Sequence, residues 1–291
     1  MKGIVLAGGT GSRLWPSTKV ISKQLLPVYD KPMIYYPLTT LMLAGVREIL
    51  VITTPQDQNS FADLLGDGSQ FGVSIQYAVQ PKPEGLAQAF IIAEDFVGDS
   101  SCLMILGDNI FHGSGLGHQL RHTLPNSGAH IFTYVVADPS QYGVLSLNID
   151  GDPISIIEKP KNSISRLAVT GLYFFDNRVA QIAKQVVPSP RGELEITSIL
   201  DVYLKKKELT ITQLTRGTAW LDTGNPKFLH DAATYVRVIE ERTGMKIACP
   251  EEIAWRNEWL TDLELANRSK TLGNNEYSNY LKDLIGSVQN F

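Results

Sequence analysis

A chain of 291 residues, 43% of them hydrophobic, is long enough to form one large or two medium domains around a sizeable core. Its 26 basic and 30 acidic residues give a net charge of −4, so a nucleic-acid partner held by phosphate neutralisation is not expected. No apolar run approaches the roughly 20 residues of a membrane span. The two cysteines, Cys102 and Cys249, are typical of buried thiols in a reducing compartment. We therefore expect a cytoplasmic protein with no membrane partner.

In the first half of the chain, apolar runs alternate with segments of helical periodicity. Strands are predicted at residues 4–7, 49–52, 75–79, 102–106 and 131–136, and helices between them. Pro37 suggests that the first regular helix begins no earlier than its own position. Strands that alternate with helices indicate βαβ units and a mainly parallel sheet, whose ligands bind beyond the carboxyl ends of the strands.

The pattern changes from about Gly143. Residues 144–149 and 154–157, separated by Asp150-Gly151, predict a hairpin, and residues 169–175 predict a further strand. An amphipathic helix is expected over 229–239, followed by short helical segments through 250–291. The sequence therefore predicts one α/β body, a Rossmann-like three-layer arrangement around a mainly parallel mixed sheet, with a helical C-terminal part.

A glycine loop follows the first predicted strand. It reads Gly8-Gly9-Thr10-Gly11-Ser12-Arg13-Leu14. Glycines let backbone N–H groups approach an anion closely, and Arg13 and Lys23 add positive charge. The loop lacks the Gly-Lys-Ser/Thr of a P-loop, and Leu14 replaces the third glycine of a dinucleotide motif. A phosphate site of another type is predicted, against the alternative that both cations are solvated surface residues.

Two aspartates end apolar, strand-like segments. Asp108 follows residues 103–107 and Asp222 follows residues 219–221, so both can point into the same crevice. Together they suit Mg²⁺, although each alone could be a turn or cap residue. The absence of a His/Cys cluster argues against zinc. The histidines form no evident metal-ligand spacing; they are His112, His118, His122, His130 and His230.

Three further positions carry open alternatives. Gln80 follows a predicted strand, and its amide can pair with both a donor and an acceptor on a pyrimidine edge, or else belong to an ordinary helix-entry loop. Glu158 and Lys159 could form only an exposed ion pair after a hairpin strand. Glu193 could contact a ligand or cap a helix starting near Ile196.

These ordered blocks resemble the sugar-1-phosphate nucleotidylyltransferases, and within them the bacterial enzymes that use dTTP and glucose 1-phosphate. The resemblance rests on residues 8–14 and 22–38 and on later blocks around Gln80, Asp108, Glu158, Glu193 and Asp222, and it extends through Arg256. It implies a nucleotidyltransferase-type fold, with residues 1–112 as the nucleotide-binding half, 113–225 as the sugar-binding half and 226–291 as the helical C-terminal part.

The resemblance also implies a role for individual residues. Arg13 would stabilise the pyrophosphate leaving group, Lys159 would hold the sugar phosphate, and Mg²⁺ would bind at Asp108 and Asp222. The implied catalytic residues are Arg13, Lys23, Asp108, Lys159 and Asp222. The implied substrate-binding residues are Leu6, Gly8, Gly9, Thr10, Gly11, Gln24, Gln80, Gly85, Tyr142, Gly143, Glu158, Val169, Tyr173 and Glu193. A second nucleotide site for feedback by dTDP-L-rhamnose is implied at Arg216, Glu252, Ile253 and Arg256, with a capped helix beginning at Pro250 as the alternative.

The implied reaction is Mg²⁺-dependent transfer of dTMP from dTTP to α-D-glucose 1-phosphate, which opens dTDP-L-rhamnose type sugar synthesis, in a homotetramer. Two alternatives remain at this point. One is the same chemistry with UTP, since one methyl group separates the bases. The other is a non-catalytic nucleotide-sugar sensor on the same fold.

Overall fold

The computed structural model describes residues 1–163 and 165–286. The strands are β1 (Lys2–Ala7), β2 (Pro27–Val28), β3 (Lys31–Pro32), β4 (Glu48–Thr53), β5 (Ser74–Val79), β6 (Cys102–Leu106), β7 (Asn109–His112), β8 (Ala129–Val135), β9 (Gly143–Leu147), β10 (Pro153–Glu158), β11 (Leu167–Phe175), β12 (Leu209–Gln213) and β13 (Ala219–Asp222). The helices are α1 (Tyr35–Leu43), α2 (Gln58–Leu65), α3 (Gln88–Ile92), α4 (Glu94–Val97), α5 (Leu116–Thr123), α6 (Val179–Ala183), α7 (Ile196–Lys205), α8 (Pro226–Thr243), α9 (Pro250–Arg256), α10 (Asp262–Thr271) and α11 (Glu276–Gly286).

Nine of the strands form one mixed sheet. Its main path is β10-β9-β11-β6-β1-β4-β5, with β8 paired to β11 and β12 paired to β8. The pairs β6-β1, β1-β4 and β4-β5 are parallel, whereas β11, β9 and β10 pair antiparallel. Helices between successive parallel strands make the βαβ units predicted from the alternating pattern. The carboxyl ends of β1, β5 and β6 therefore lie along one edge of the sheet.

Side chains on the central strands alternate between the two faces of the sheet. Val5 packs on one face with Leu38 and Leu41 of α1, while Ile4 and Leu6 pack on the other with Phe90 of α3 and residues of α6 and α7. Both faces are covered by helices, which explains why β1 is a continuous apolar run. This three-layer α/β architecture confirms the predicted fold class.

The strands predicted at 4–7, 49–52, 75–79, 102–106 and 131–136 are all present, with ends that differ by at most two residues, and the predicted hairpin is β9 and β10. The predicted start of the first helix is wrong. Helix α1 begins at Tyr35, so Pro37 lies within its first turn. The first N–H groups of a helix have no intrahelical acceptor, so proline there removes no hydrogen bond.

The helical C-terminal part begins at α8. Asn225 caps this helix by accepting a hydrogen bond from the Phe228 N–H (2.9 Å), and Pro226 occupies its first turn. Ala232 and Val236 pack against Val28 and Ile110. The sequence-based boundaries after residues 112 and 225 fall at the end of β7 and at this cap. The last residues of the predicted C-terminal segment, 287–291, lie outside the described residues.

Cys102 and Cys249 are buried free thiols. Burial raises the pKa of the Cys102 thiol to about 12, so it is protonated and unreactive at neutral pH. No helix in the described ranges is both long enough and apolar enough to cross a membrane.

Candidate active site

A cavity of about 460 Å³ lies at the carboxyl edge of the parallel strands. It is lined by the glycine loop after β1, the ends of β5 and β6, and parts of β9, β10, β11 and β13. All the predicted catalytic and substrate-binding residues except Gly8 line it: Leu6, Gly9, Thr10, Gly11, Arg13, Lys23, Gln24, Gln80, Gly85, Asp108, Tyr142, Gly143, Glu158, Lys159, Val169, Tyr173, Glu193 and Asp222. The fold thus brings residues from a stretch of 217 positions (6–222) together around one cavity.

Gly8 does not line the cavity but lies against Gln80, which does. The Gln80 side chain packs directly against it, and a Cβ on Gly8 would overlap the amide oxygen and stand 3.1 Å from Cδ. Gln80 is buried and its Nε2 donates to the Gln88 Oε1 (2.7 Å). Gln88 in turn donates to Glu84 (2.7 Å). The absence of a side chain at residue 8 therefore fixes where the Gln80 amide faces the cavity.

Gly85 allows a close approach between two loops. Its φ of +118° and the 2.5 Å that would separate its Cβ from the Leu194 nitrogen exclude any larger residue. Leu194 donates its N–H to the Glu84 carbonyl (2.6 Å), and Ala87 donates to the Leu194 carbonyl (3.0 Å). The part of the cavity lined by Gln80 and Gly85 is thereby joined to the segment that leads into α7.

The glycine loop turns through Gly11, which has φ +61°, and Thr18 Oγ1 donates to the Gly11 carbonyl (2.6 Å). Arg13 is exposed on this loop. In the described part of the chain its guanidinium makes no hydrogen bond and no ion pair. A Cβ on Gly224, beyond β13, would stand 3.6 Å from its Nη1, so Arg13 reaches across to the strand end that carries Asp222.

The cavity's carboxylates lie beside a lysine. Lys23 forms an ion pair with Asp108 Oδ2, and Asn109 Nδ2 donates to Asp108 Oδ1 (3.0 Å). Although burial raises the pKa of Asp108, Lys23 and these hydrogen bonds hold it below its usual value. Burial, with the neighbouring Asp108 charge, raises the pKa of Asp222 to about 6. Two carboxylates so close that one perturbs the other form a site that attracts a cation.

The donor set at this point suits magnesium. Both aspartates offer carboxylate oxygens, and no cluster of three or more His, Cys, Asp or Glu side chains occurs in residues 1–163 and 165–286 that could form a closed metal cage. Mg²⁺ is commonly held by one or two carboxylates together with substrate phosphates and water. The residues present fit such an open site.

Another part of the cavity lining carries the Glu158 and Lys159 pair. Lys159 Nζ lies 3.8 Å from Glu158 Oε1, and the Lys159 N–H donates to the Tyr142 carbonyl (3.0 Å). Burial, followed by the nearby Glu195 charge, raises the pKa of Glu158. The backbone of Lys159 has φ +43°, a left-handed conformation that disfavours a side chain. Such a strained non-glycine residue beside a cavity is typical of functional sites.

Glu193 lies at the cavity and does not cap a helix. The N-cap residue of α7 is Glu195, which makes no side-chain cap hydrogen bond. Glu193 Oε2 instead lies 3.4 Å from Arg191 Nη2. The sequence left two roles open for Glu193, ligand contact and helix capping. Among the described residues the structure has no such cap and places Glu193 at the cavity.

Three lining residues carry chemistry that the sequence analysis left unassigned. Arg191 brings a second cation beside Lys159 and contacts Glu195 (2.7 Å) and Glu158 (3.4 Å). Asn109 Oδ1 accepts from Trp220 Nε1 (2.6 Å), so this pair braces the turn that carries Asp108. A polar residue directly after Asp108, and an arginine before Gly192-Glu193, were the signals available in the sequence.

The residues implied for a second nucleotide site lie elsewhere. Glu252, Ile253 and Arg256 are on α9, and Arg216 is in the turn between β12 and β13. Ile253 lines a separate cavity of about 240 Å³, whereas the other three do not. Arg256 Nε donates to Glu252 Oε1 (2.8 Å). None of the four lines the first cavity.

The chain has an α/β fold with a cavity at the carboxyl edge of its parallel strands, and comparison with known proteins identifies the family. The family model described as Nucleotidyl transferase matches residues 2–238. A glucose-1-phosphate thymidylyltransferase from Neisseria meningitidis serogroup A is 54% identical over 286 residues, which cover 98% of this chain and 99% of that protein.

Solved structures agree. A crystal structure described as a putative glucose-1-phosphate thymidylyltransferase from Bacillus anthracis, in complex with a sucrose, matches with a TM-score of 0.75 and 43% identity over 81% of this chain and 95% of that one. A UDP-glucose pyrophosphorylase complexed with UDP-glucose matches with a TM-score of 0.73, covering 82% of this chain and 98% of that one; at 24% identity it shows the shared fold. The chain belongs to the nucleotidyl transferase family, and its predicted family and enzyme class are confirmed.

Proposed function

We propose that the protein transfers dTMP from dTTP to α-D-glucose 1-phosphate, giving dTDP-glucose and pyrophosphate. The observation that carries the proposal is the single cavity between the glycine loop and the Glu158 and Lys159 pair. Its lining contains the glycine loop, a second cationic region with Lys159 and Arg191, and the carboxylates of Asp108 and Asp222. The relatives named glucose-1-phosphate thymidylyltransferase support this choice of substrates.

At the nucleotide end, the backbone of Gly9, Thr10 and Gly11 and the side chain of Arg13 would bind the triphosphate. Arg13 is exposed to the cavity and is available to meet charge that develops on the leaving pyrophosphate. Gln80 would present its amide to the pyrimidine edge, since its side chain is buried and held by Gln88.

At the sugar end, Lys159 and Arg191 would hold the phosphate of glucose 1-phosphate. Glu158, with its raised pKa, and the buried wall of Val169 and Tyr173 would contact the sugar. This attacking phosphate oxygen is already anionic, so it needs positioning rather than a general base. In-line attack on the α-phosphorus then depends on approximation and charge neutralisation.

Asp108 and Asp222 would hold a magnesium ion, which supplies neutralisation of the phosphate charge when bound. Asn109 would keep the Asp108 carboxylate oriented through its 3.0 Å hydrogen bond. Lys23, paired with Asp108, would offset one of the two negative charges in the free enzyme.

The test is a panel of dTTP, UTP, ATP, CTP and GTP, each with glucose 1-phosphate, scored by kcat/KM and by pyrophosphate release. The proposal expects dTTP to give the highest kcat/KM. A higher value for UTP would support the uridylyl alternative, since discrimination by one methyl group is worth only about 1–3 kcal/mol. Binding without pyrophosphate release with any pair would indicate a sensor.

We extend the proposal to regulation and assembly. The product would enter dTDP-L-rhamnose type synthesis, and the end product would inhibit the enzyme at a second site formed around Arg216, Glu252, Ile253 and Arg256. The 240 Å³ cavity beside Ile253 is a space for part of such a ligand. A homotetramer is the proposed assembly, and a light-scattering mass of four times 32.1 kDa is the expected result.

A further inference from the structure

We propose that His118 and His122 form a surface binding site for a divalent transition-metal ion of the Zn²⁺, Ni²⁺ or Cu²⁺ type. The site would be separate from the carboxylate site in the first cavity. In sequence the two histidines are only four residues apart, a spacing that becomes informative because both lie on helix α5. One helical turn separates residues i and i+4, so both imidazoles emerge from the same face.

The side chains are already side by side. Their ring centroids are 4.0 Å apart and the ring planes differ by 18°. Both residues are exposed, so solvent and ions reach them. Two imidazoles this close can serve one ion after small rotations of their side chains.

The hydrogen bonding of His122 leaves a ligand atom available. Its Nδ1 lies 2.8 Å from the backbone carbonyl oxygen of His118. Because a carbonyl oxygen can only accept, Nδ1 carries the hydrogen and the neutral ring has its lone pair on Nε2. Metal-binding histidines typically donate their other ring N–H in this way, which fixes the tautomer and the ring orientation.

The surroundings of the pair favour neutral nitrogen ligands. The charged residue between them, Arg121, donates from Nε to the Leu43 carbonyl (2.8 Å) and from Nη2 to Asn257 Oδ1 (2.8 Å), so its guanidinium is held against α1 and the end of α9. Helix α5 contains no acidic residue. Imidazole suits zinc, copper and nickel, whereas Mg²⁺ prefers the oxygens of Asp108 and Asp222.

Metal binding would clamp a short helix. Helix α5 has eight residues, and its N-cap, Gly115, offers no side-chain hydrogen bond. A ligand bridging the first and second turns would therefore add stability that local sequence does not supply. Gly115, Leu116 and Gly117 also line the 240 Å³ cavity, so the clamp would act on one wall of that cavity.

The experiment is calorimetric titration of the untagged protein with NiCl₂ in the presence of excess MgCl₂, which occupies the carboxylate site. We expect wild type to bind one Ni²⁺, His118→Asn and His122→Asn each to bind at least about tenfold more weakly, and the double variant to lose this binding. His230→Asn, which removes a single exposed histidine on α8, is the matched control and should behave as wild type.

Two results would overturn the proposal. One is the absence of Ni²⁺ binding by wild type, and the other is equal binding by wild type and the double variant. Thermal unfolding without metal checks that each variant is folded, since exposed substitutions should shift stability little. With NiCl₂ the melting temperature should rise for wild type and His230→Asn but not for the double variant.

Discussion

Asp222 lies directly opposite Asn109 in the antiparallel pair of β13 and β7, and Asn109 is the residue next to Asp108. This register places two carboxylates that are 114 positions apart in sequence (108 and 222) beside each other at one end of a two-stranded ribbon. The Thr223 N–H and Oγ1 both donate to the Asp108 carbonyl (3.1 and 2.8 Å), which fastens the two strand ends. The carboxylate pair is thus a product of backbone pairing and does not depend on flexible loops.

The first prediction concerns Asp222→Asn. The amide keeps the shape and can still accept the Gly224 N–H that now bonds Oδ1 at 2.9 Å, but it removes one negative charge from the cation site. We expect kcat to fall by at least about 10²-fold and Mg²⁺ affinity to drop, because a metal that neutralises the transferring phosphate is lost.

The fall in kcat and in metal affinity is measured from the Mg²⁺ dependence of kcat and from direct binding of Mn²⁺. Asp150→Asn, in the exposed turn between β9 and β10, removes the same charge away from the cavity and should have no effect. If Asp222→Asn keeps the wild-type kcat at limiting Mg²⁺, Asp222 is not a ligand of the metal.

The second prediction separates the two cationic ends of the cavity. Lys159→Gly should raise KM for glucose 1-phosphate by about 10- to 100-fold, the typical value of a charged hydrogen bond. Glycine adopts φ +43° without strain, so the free energy of unfolding should stay the same or rise by up to about 1 kcal/mol. Arg13→Ala should instead lower kcat by about 10²-fold or more with KM for glucose 1-phosphate little changed.

Steady-state kinetics and urea unfolding measure both changes. Lys161→Ala is the control for loss of a neighbouring exposed lysine. The same kinetic defect in Lys159→Gly and Arg13→Ala would contradict the division between sugar and triphosphate ends.

The third prediction tests the support that Gly8 gives to Gln80. A methyl group in Gly8→Ala would overlap the Gln80 amide and force it to move, so KM for dTTP should rise about tenfold, the value of one hydrogen bond. If the effect acts through Gln80, the double variant Gly8→Ala/Gln80→Ala should be no worse than Gln80→Ala alone. Strictly additive losses in this double-mutant cycle would mean that the methyl group acts on the loop itself.

Much of this site was predictable because its signals are local. The glycine loop, Gln80 and Asp108 each follow an apolar strand, and ligands of parallel sheets bind at that edge. The Asn109 and Trp220 hydrogen bond was not predictable, because it depends on a ribbon between distant segments. The start of helix α1 was predicted wrongly from Pro37, because proline is compatible with several positions of a first helical turn.

Arg191 shows a further limit of sequence reasoning. In the sequence, an arginine followed by Glu193 and Glu195 indicates an ordinary ion pair, and only the folded chain brings its guanidinium beside Lys159 in the cavity. The same holds for Gly8, whose role is to leave room for a side chain 72 positions later in sequence (8 and 80). Contacts between distant segments decide such roles.

The fourth prediction concerns the proposed regulatory site. Arg256→Ala should raise the concentration of dTDP-L-rhamnose needed for half inhibition by about tenfold or more, as expected for the loss of one charged contact to a nucleotide. Arg237→Ala is the control, because Arg237 also pairs with a glutamate one helical turn away: Glu241 lies four residues after it (2.8 Å), as Glu252 lies four residues before Arg256. Each variant is compared with its own uninhibited rate.

The mode of inhibition decides between two sites. Inhibition that persists at saturating dTTP would show that the inhibitor and dTTP occupy distinct sites. Full-strength inhibition of Arg256→Ala that is purely competitive with dTTP would mean that the product acts in the first cavity.

The last prediction concerns acid stability and His130. This residue is 2% exposed on β8; its Nδ1 lies 2.8 Å from Thr210 Oγ1, and its Nε2 has no hydrogen-bond partner among the described residues. Burial lowers the pKa of His130 to about 4, from 6.5 for an ordinary histidine. The unfolded chain therefore binds a proton between these two pH values that the folded chain does not bind, so this contribution to stability is complete above pH 6.5 and is lost as the pH falls towards 4. Linkage gives a loss of about 2 kcal/mol from this one residue between pH 7.5 and pH 5.0.

Urea unfolding at both pH values measures this loss of stability, and His130→Phe, which cannot take up a proton, should lose about 2 kcal/mol less over the same interval. An equal loss in wild type and in His130→Phe would show that other groups cause the acid sensitivity.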